Sequence, residues 1–253
     1  MNTWTEDQAI VALDLYCNIP FNKATNSNPR IIETANILGR SVTSVKMKIG
    51  NFGSFDPELK KRGIVGLSNA SKLDKEIWTR YSDNWGQLAY DSKRIISRLT
   101  GKPIESVAEI DLANIPDGAE REAIVRQRIN QSFFRNVVLA SYDYCCCITG
   151  LACADLLEAC HITEWAADED NRTNPRNGLC LNPLFHRAYD RDYIGITPDY
   201  IIKVSDRMFD TEKQQENIRE FFMRFDNKRL ILPNRFVPDR NLLDIRYRRY
   251  LKQ

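Results

Sequence analysis

The chain carries two histidines in 253 residues, and both fall in one stretch, LLEACHITEWAADEDNRTNPRNGLCLNPLFHRAYDR, at positions 156–191. Any site that needs an imidazole must therefore be built from His161, His186 or both. Asn177 stands between them, so the order is His, Asn, His. The three sit in different local settings. LLEACHI is a short apolar run of strand type that ends on His161. AADEDNRTNPRNG, with Pro175 and Gly178, reads as a loop. LCL is a second short apolar run, and Pro183 then opens LFHRAYDR as the first turns of a helix, where a missing N–H is tolerated. Strand, loop, strand, helix is a layout that can carry three distant side chains to one point.

Composition sets outer limits. The length suits one large domain or two small ones, and 43% hydrophobic with 28% charged residues is ordinary for a soluble globular chain. No apolar run approaches the roughly 20 residues that span a bilayer, so no membrane partner is expected. The opening MNTWTEDQ does not read as a secretory signal. Seven cysteines, three of them consecutive at 145–147, fit reduced thiols in a cytoplasmic protein better than a disulfide framework. The net charge of +2 names no partner, but residues 226–253 hold eight Lys or Arg against three Asp. Arg126, Arg128 and Arg135 lie just upstream of the histidine stretch. Basic flanks beside an acidic, His-containing segment suit a phosphate backbone next to a cation.

The first half reads as helical. Residues 4–17 have Trp4, Ile10, Leu13 and Cys17 at helical spacing behind a Thr5 cap. Residues 29–38 start on Pro29 and stop at Gly39, and Ser41 can cap a third helix. Two short helices joined by a Gly turn have helix-turn-helix character, with Lys46 and Lys48 as candidate DNA contacts; a plain helical packing unit is the competing account. Residues 56–72 read as a loop. Residues 73–99 read as one helical stretch with Trp78 and Trp85 in the core, and 100–120 as an interdomain linker. Residues 121–142 form a long helix. After Arg191, IGIT and YIIKVSD predict a hairpin, and 211–225 a further helix.

Phosphodiester hydrolysis needs a positioned water, a base for its proton, and positive charge near the phosphorus and leaving oxygen. A neutral imidazole, with an ordinary pKa of about 6.5, can act as the base, while a second imidazole ligates a divalent cation. Asp190, four residues after His186, shares its helix face. A structural zinc site at Cys147 and Cys153 is disfavoured, because the chain has no Cys-x-x-Cys pair and no spare histidine. A Cys160–His161 nucleophilic dyad is disfavoured because adjacent strand residues point to opposite faces.

LEACHI, a polar loop and NGLCLNPLFHRAYD together resemble the HNH motif of the ββα-metal nuclease superfamily. The preceding CCCITG and the following hairpin are similar to the type found in bacterial restriction endonucleases. The N-terminal segment, with LDLY, LGRS and Asp56-Pro57, resembles the part that precedes HNH domains in some such proteins. The resemblance implies His161 as general base, Asn177 as the hairpin asparagine, His186 as a metal ligand and Asp190 as a second ligand. It also implies Mg2+ or Mn2+, with Zn2+ as an alternative, and double-stranded DNA as partner, bound with the help of Arg176 and Arg187. The residue before the base is often a hard ligand in that family; here it is Cys160, either a ligand of different character or a buried small residue, with Glu158 on the same strand face as a substitute.

The expected fold class is thus α+β: a mostly helical domain at 1–100 and a C-terminal HNH nuclease domain at 101–253, its core motif at 145–206. The expected activity is metal-dependent cleavage of DNA in a restriction system, with modified bases as one substrate class and a homodimer left open. The alternative is a non-catalytic DNA-binding or regulatory protein with a degenerate HNH fold.

Overall fold

Polar caps set where the helices of the first half begin. The computed structural model describes residues 3–64, 70–111, 113, 118–210 and 216–253. Thr5 and Gln8 close a capping box on α1 (Glu6–Asn18), Asn28 caps α2 (Pro29–Leu38), and Ser41 caps α3 (Val42–Gly53). Gly39 ends α2 at φ 61°, a left-handed conformation that glycine adopts without a Cβ penalty, and the chain re-enters a helix three residues later. Asp56 caps a short α4 (Pro57–Lys61), so the expected loop at 56–72 begins as a helix; 65–69 of that loop lie outside the described residues. A second capping box, Ser71 with Asp74, starts α5 (Lys72–Tyr81). The expected single helix over 73–99 is broken by a turn before α6 (Trp85–Thr100), so Trp78 and Trp85 belong to different helices. Both serve the core, Trp78 packing edge-on to Tyr16 with centroids 5.9 Å apart. Next come α7 (Ile104–Val107) and the long α8 (Ala119–Ser141). Residues 112 and 114–117 of the expected 100–120 linker lie outside the described residues.

The spacing of Ile10, Leu13 and Cys17 predicts one buried face on α1, but every residue from Ala9 to Asn18 is buried. A helix covered all round is a core element rather than a surface one. Its polar members are satisfied inside: Asn18 and Ser92 donate to the Asp14 carboxylate, and Tyr16 donates to Asp56 at 2.6 Å. Burial raises the Asp14 pKa against the pull of Lys93.

Lys48 corrects an expectation. Its ammonium is buried, 2.5 Å from the fully buried Asp74, and lies 4.7 Å from the centre of the Trp4 ring. It holds α3 to α5 and is not displayed to a phosphate. Lys48→Met is expected to cost this unit about 3 kcal/mol, because Asp74 would stay buried without its cation. Chemical denaturation checks this; unchanged stability with weakened DNA binding would return Lys48 to the surface role.

The chain divides into two compact units, Met1–Ala140 and Ser141–Gln253. The boundary lies at the end of α8, not at the expected 100/101. The reason is local: Tyr90 donates to Glu122, Arg126 donates to Gln87, and Arg121 pairs with Glu105, so α8 is fastened to the helices before it.

The second unit is α+β. β1 (Glu158–His161) pairs antiparallel with β2 (Gly178–Leu181), His161 opposite Gly178 and Cys160 opposite Leu179. Asn182 caps α9 (Pro183–Asp190), which packs on both strands. The expected hairpin forms as β3 (Ile194–Ile196) and β4 (Ile202–Val204). The helix expected at 211–225 is α10 (Glu216–Met223), and 211–215 lie outside the described residues. Asp239 caps α11 (Arg240–Tyr250), which lies against β3 so closely that a Cβ on Gly195 would meet the Tyr250 ring at 2.7 Å. Among the described residues no helix is long and apolar enough to cross a membrane.

Candidate active site

β1 delivers His161, and the loop that follows holds it. The Nε2 of His161 lies 3.0 Å from the Arg172 carbonyl oxygen. A carbonyl only accepts, so the neutral ring carries its proton on Nε2 and its basic lone pair on Nδ1. Burial lowers the His161 pKa from its ordinary value, and the Arg172 carbonyl opposes that shift while the nearby His186 adds to it. The ring is therefore neutral at neutral pH. Trp165 meets it edge-on at 5.7 Å, and Arg172 donates to the Trp165 carbonyl at 2.7 Å, so the loop grips the ring from both ends.

Asn177 is fully buried at the turn into β2. Its Oδ1 accepts from the Thr163 backbone N–H at 2.9 Å and from the Thr163 hydroxyl at 3.0 Å. Its Nδ2 donates to the carbonyls of Thr163 and Asn171 at 3.2 and 3.1 Å. One side chain thus pins both ends of the loop that carries the His161 partner. The acidic run at 166–171 serves the same loop: Asp168 accepts from Asn171 and from the Thr163 hydroxyl.

α9 delivers His186 and Asp190 from one face. The Nδ1 of His186 donates to Glu158 Oε2 at 2.6 Å, which turns Nε2 toward Asp190, whose Oδ2 is 3.5 Å away. Cys160 completes the group: its fully buried Sγ is 3.9 Å from Asp190 Oδ1. The ligand atoms of Cys160, His186 and Asp190 all lie within 4.8 Å of one another. Metal–ligand bonds of about 2.0–2.3 Å are the scale on which such a triangle can close around one divalent ion, so nitrogen, oxygen and sulfur donors fit a cation here. A carboxylate on the far nitrogen of a ligating histidine is the usual support for such a ring.

His161, Asn177 and His186 thus stand in one frame of two strands and a helix. Residues 146–197 match the family described as HNH endonuclease. No curated protein matches the chain.

Within this HNH segment, Arg187 is exposed on α9 beside His186. Arg176 is half-buried beside Asn177, with its carbonyl accepting from Asp239. The other expected DNA contacts belong to the first unit. Lys46 is exposed on α3, while Lys48 is buried as described. Arg126 and Arg128 are exposed on α8, where Arg126 also lies 4.9 Å from the centre of the Tyr90 ring.

Sequence reasoning missed a support outside the HNH match. Arg246 and Arg249 on α11 reach back to the loops on either side of the site. Buried Arg246 donates to the Tyr189 carbonyl and pairs with Asp192 at 3.1 Å. Arg249 pairs with Asp192 and Glu164 and donates to the carbonyl of Asp190 itself at 3.2 Å. The basic run at 226–253 is therefore spent in part on internal pairing rather than on a DNA-facing surface. The i, i+3 spacing of the two arginines was visible in the sequence, but nothing there named Glu164 or Asp192 as partners.

Proposed function

We propose that this chain is a metal-dependent endodeoxyribonuclease that cuts double-stranded DNA in a restriction system. The observation that carries the reading is the complementary setting of two imidazoles. His161 is neutral, with one nitrogen committed to the Arg172 carbonyl, and His186 has one nitrogen committed to Glu158 and the other aimed at Asp190 and Cys160. One ring is prepared to take a proton and the other to hold an ion.

In this mechanism a water beside the scissile phosphate loses its proton to Nδ1 of His161 as its oxygen attacks phosphorus. His186 and Asp190, with Cys160 beside them, would hold the cation. When bound, a divalent ion supplies Lewis acidity at the phosphoryl and leaving oxygens. Arg187 and Arg176 supply positive charge to the flanking phosphates. Asn177 keeps the Arg172 carbonyl, and with it His161, in place. The first unit, with Lys46 on the exposed side of its helix-turn-helix, holds the duplex.

Supercoiled plasmid, with and without base modification, incubated with a series of divalent ions including Mg2+ and Mn2+ and with a chelator, tests this. Nicked and linear products that need the ion are expected, with a difference between modified and unmodified plasmid if the restriction role holds. Intact plasmid with every ion would leave the rival reading, a DNA-binding protein with a degenerate HNH fold.

A further inference from the structure

The oxygen ligand that a hard cation would want on β1 is already engaged. Glu158 and Cys160 share a face of the strand, two residues apart. Glu158 accepts from Nδ1 of His186 at 2.6 Å, so it orients the histidine. The donor that β1 adds to His186 and Asp190 is the thiol of Cys160, fully buried and 3.9 Å from Asp190 Oδ1.

We propose that Cys160 is a thiolate ligand of the metal centre and that it selects a thiophilic divalent ion of the zinc or cobalt class over magnesium. The proposal rests on the nuclease reading for the existence of the centre, and it narrows what that centre takes. Sulfur bonds soft and borderline ions well and magnesium poorly, whereas one imidazole and one carboxylate discriminate far less. On binding, the S–H bond breaks, the sulfur–metal bond forms and one proton leaves to solvent. The same substitution of sulfur for oxygen makes the affinity for Mg2+ low, since that ion demands oxygen ligands and gives up its water reluctantly.

Titration of the full chain with Co2+ alone reads the sulfur–metal bond directly as a near-ultraviolet charge-transfer band. The band is expected in the native protein and absent in Cys160→Ser. It is also expected to be absent in His186→Ala, which retains every cysteine and so separates this centre from adventitious thiol binding. Competition with Zn2+ is expected to show at least about tenfold weaker binding in Cys160→Ser, while affinity for Mg2+ does not fall. Circular dichroism establishes that each variant is folded, and if Cys160→Ser is not, the native protein against folded His186→Ala decides the matter. No band in the native protein, or a band that persists in His186→Ala, overturns the proposal, as does Zn2+ affinity unchanged in folded Cys160→Ser. The nuclease reading fails by a different signature, a protein that binds the ion through sulfur and cuts no DNA.

Discussion

His161→Ala is expected to lower the rate of DNA cleavage by about 10²–10⁴-fold, the usual worth of a positioned general base. The variant removes the nitrogen that takes the water's proton in the proposed mechanism. Its Nε2 partner is a backbone carbonyl, so losing that contact strands no charge, and circular dichroism of the variant separates lost chemistry from unfolding. Metal affinity and DNA retention should persist, because Cys160, His186 and Asp190 are untouched. Single-turnover cleavage beside a metal titration checks both halves. Retained cleavage would remove His161 from the chemistry; lost metal affinity would make it a ligand instead of a base.

Asn177→Ala should act through the fold. Four hydrogen bonds end on this one fully buried amide, two to Oδ1 and two from Nδ2. Truncation strands the Thr163 N–H and carbonyl in a place that water reaches poorly, while the Thr163 hydroxyl keeps Asp168 and the Asn171 carbonyl keeps the Asn174 N–H. Each orphaned group costs roughly 1–3 kcal/mol, so a loss of about 4 kcal/mol is expected after the loop relaxes. The midpoint of chemical unfolding should fall accordingly. Cleavage should drop as well, even under conditions where the variant is folded, because the Arg172 carbonyl would no longer be held against His161. Asn177→Asp offers a sharper comparison: it keeps the acceptor for Thr163 and loses the donors to the Thr163 and Asn171 carbonyls. A stability change below about 1 kcal/mol in the alanine variant would show that the loop is held elsewhere.

The parts of this protein that could be read from its sequence are those whose determinants are local. LLEACHI, LCL and LFHRAYDR are each bounded by turn or cap signals, so β1, β2 and α9, the elements that carry or adjoin His161, Asn177 and His186, could be anticipated. Gly39 and Ser41 marked the turn between α2 and α3 for the same reason. What escaped depends on partners far along the chain. Lys48 looked like one of two helix-surface lysines because its partner, Asp74, is 26 residues away. The unit boundary was misplaced because α8 is fastened by polar pairs with Gln87, Tyr90 and Glu105, which leave no hydrophobic pattern. Glu158 could be placed on the face of Cys160 by the two-residue period of a strand, but its choice of His186 over an ion could not. The break before Trp85 was legible in principle: Ser82, Asp83 and Asn84 are turn formers in a row.

The arginine pair on α11 has a consequence for when the site comes into being. Arg249 joins Glu164 across 85 positions and the Asp190 carbonyl across 59, and β4 and α10 lie between the matched segment and α11. Pairings that span so much chain form late, since the intervening polymer must first be ordered. A ribosome that has released residues 146–197 has released every group of the HNH motif, yet the buttress is still inside or unmade. The groups around His186 and Asp190 thus gain their α11 buttress only after residues 146–197 have been made, a delay that would postpone cutting in a nuclease of the kind proposed.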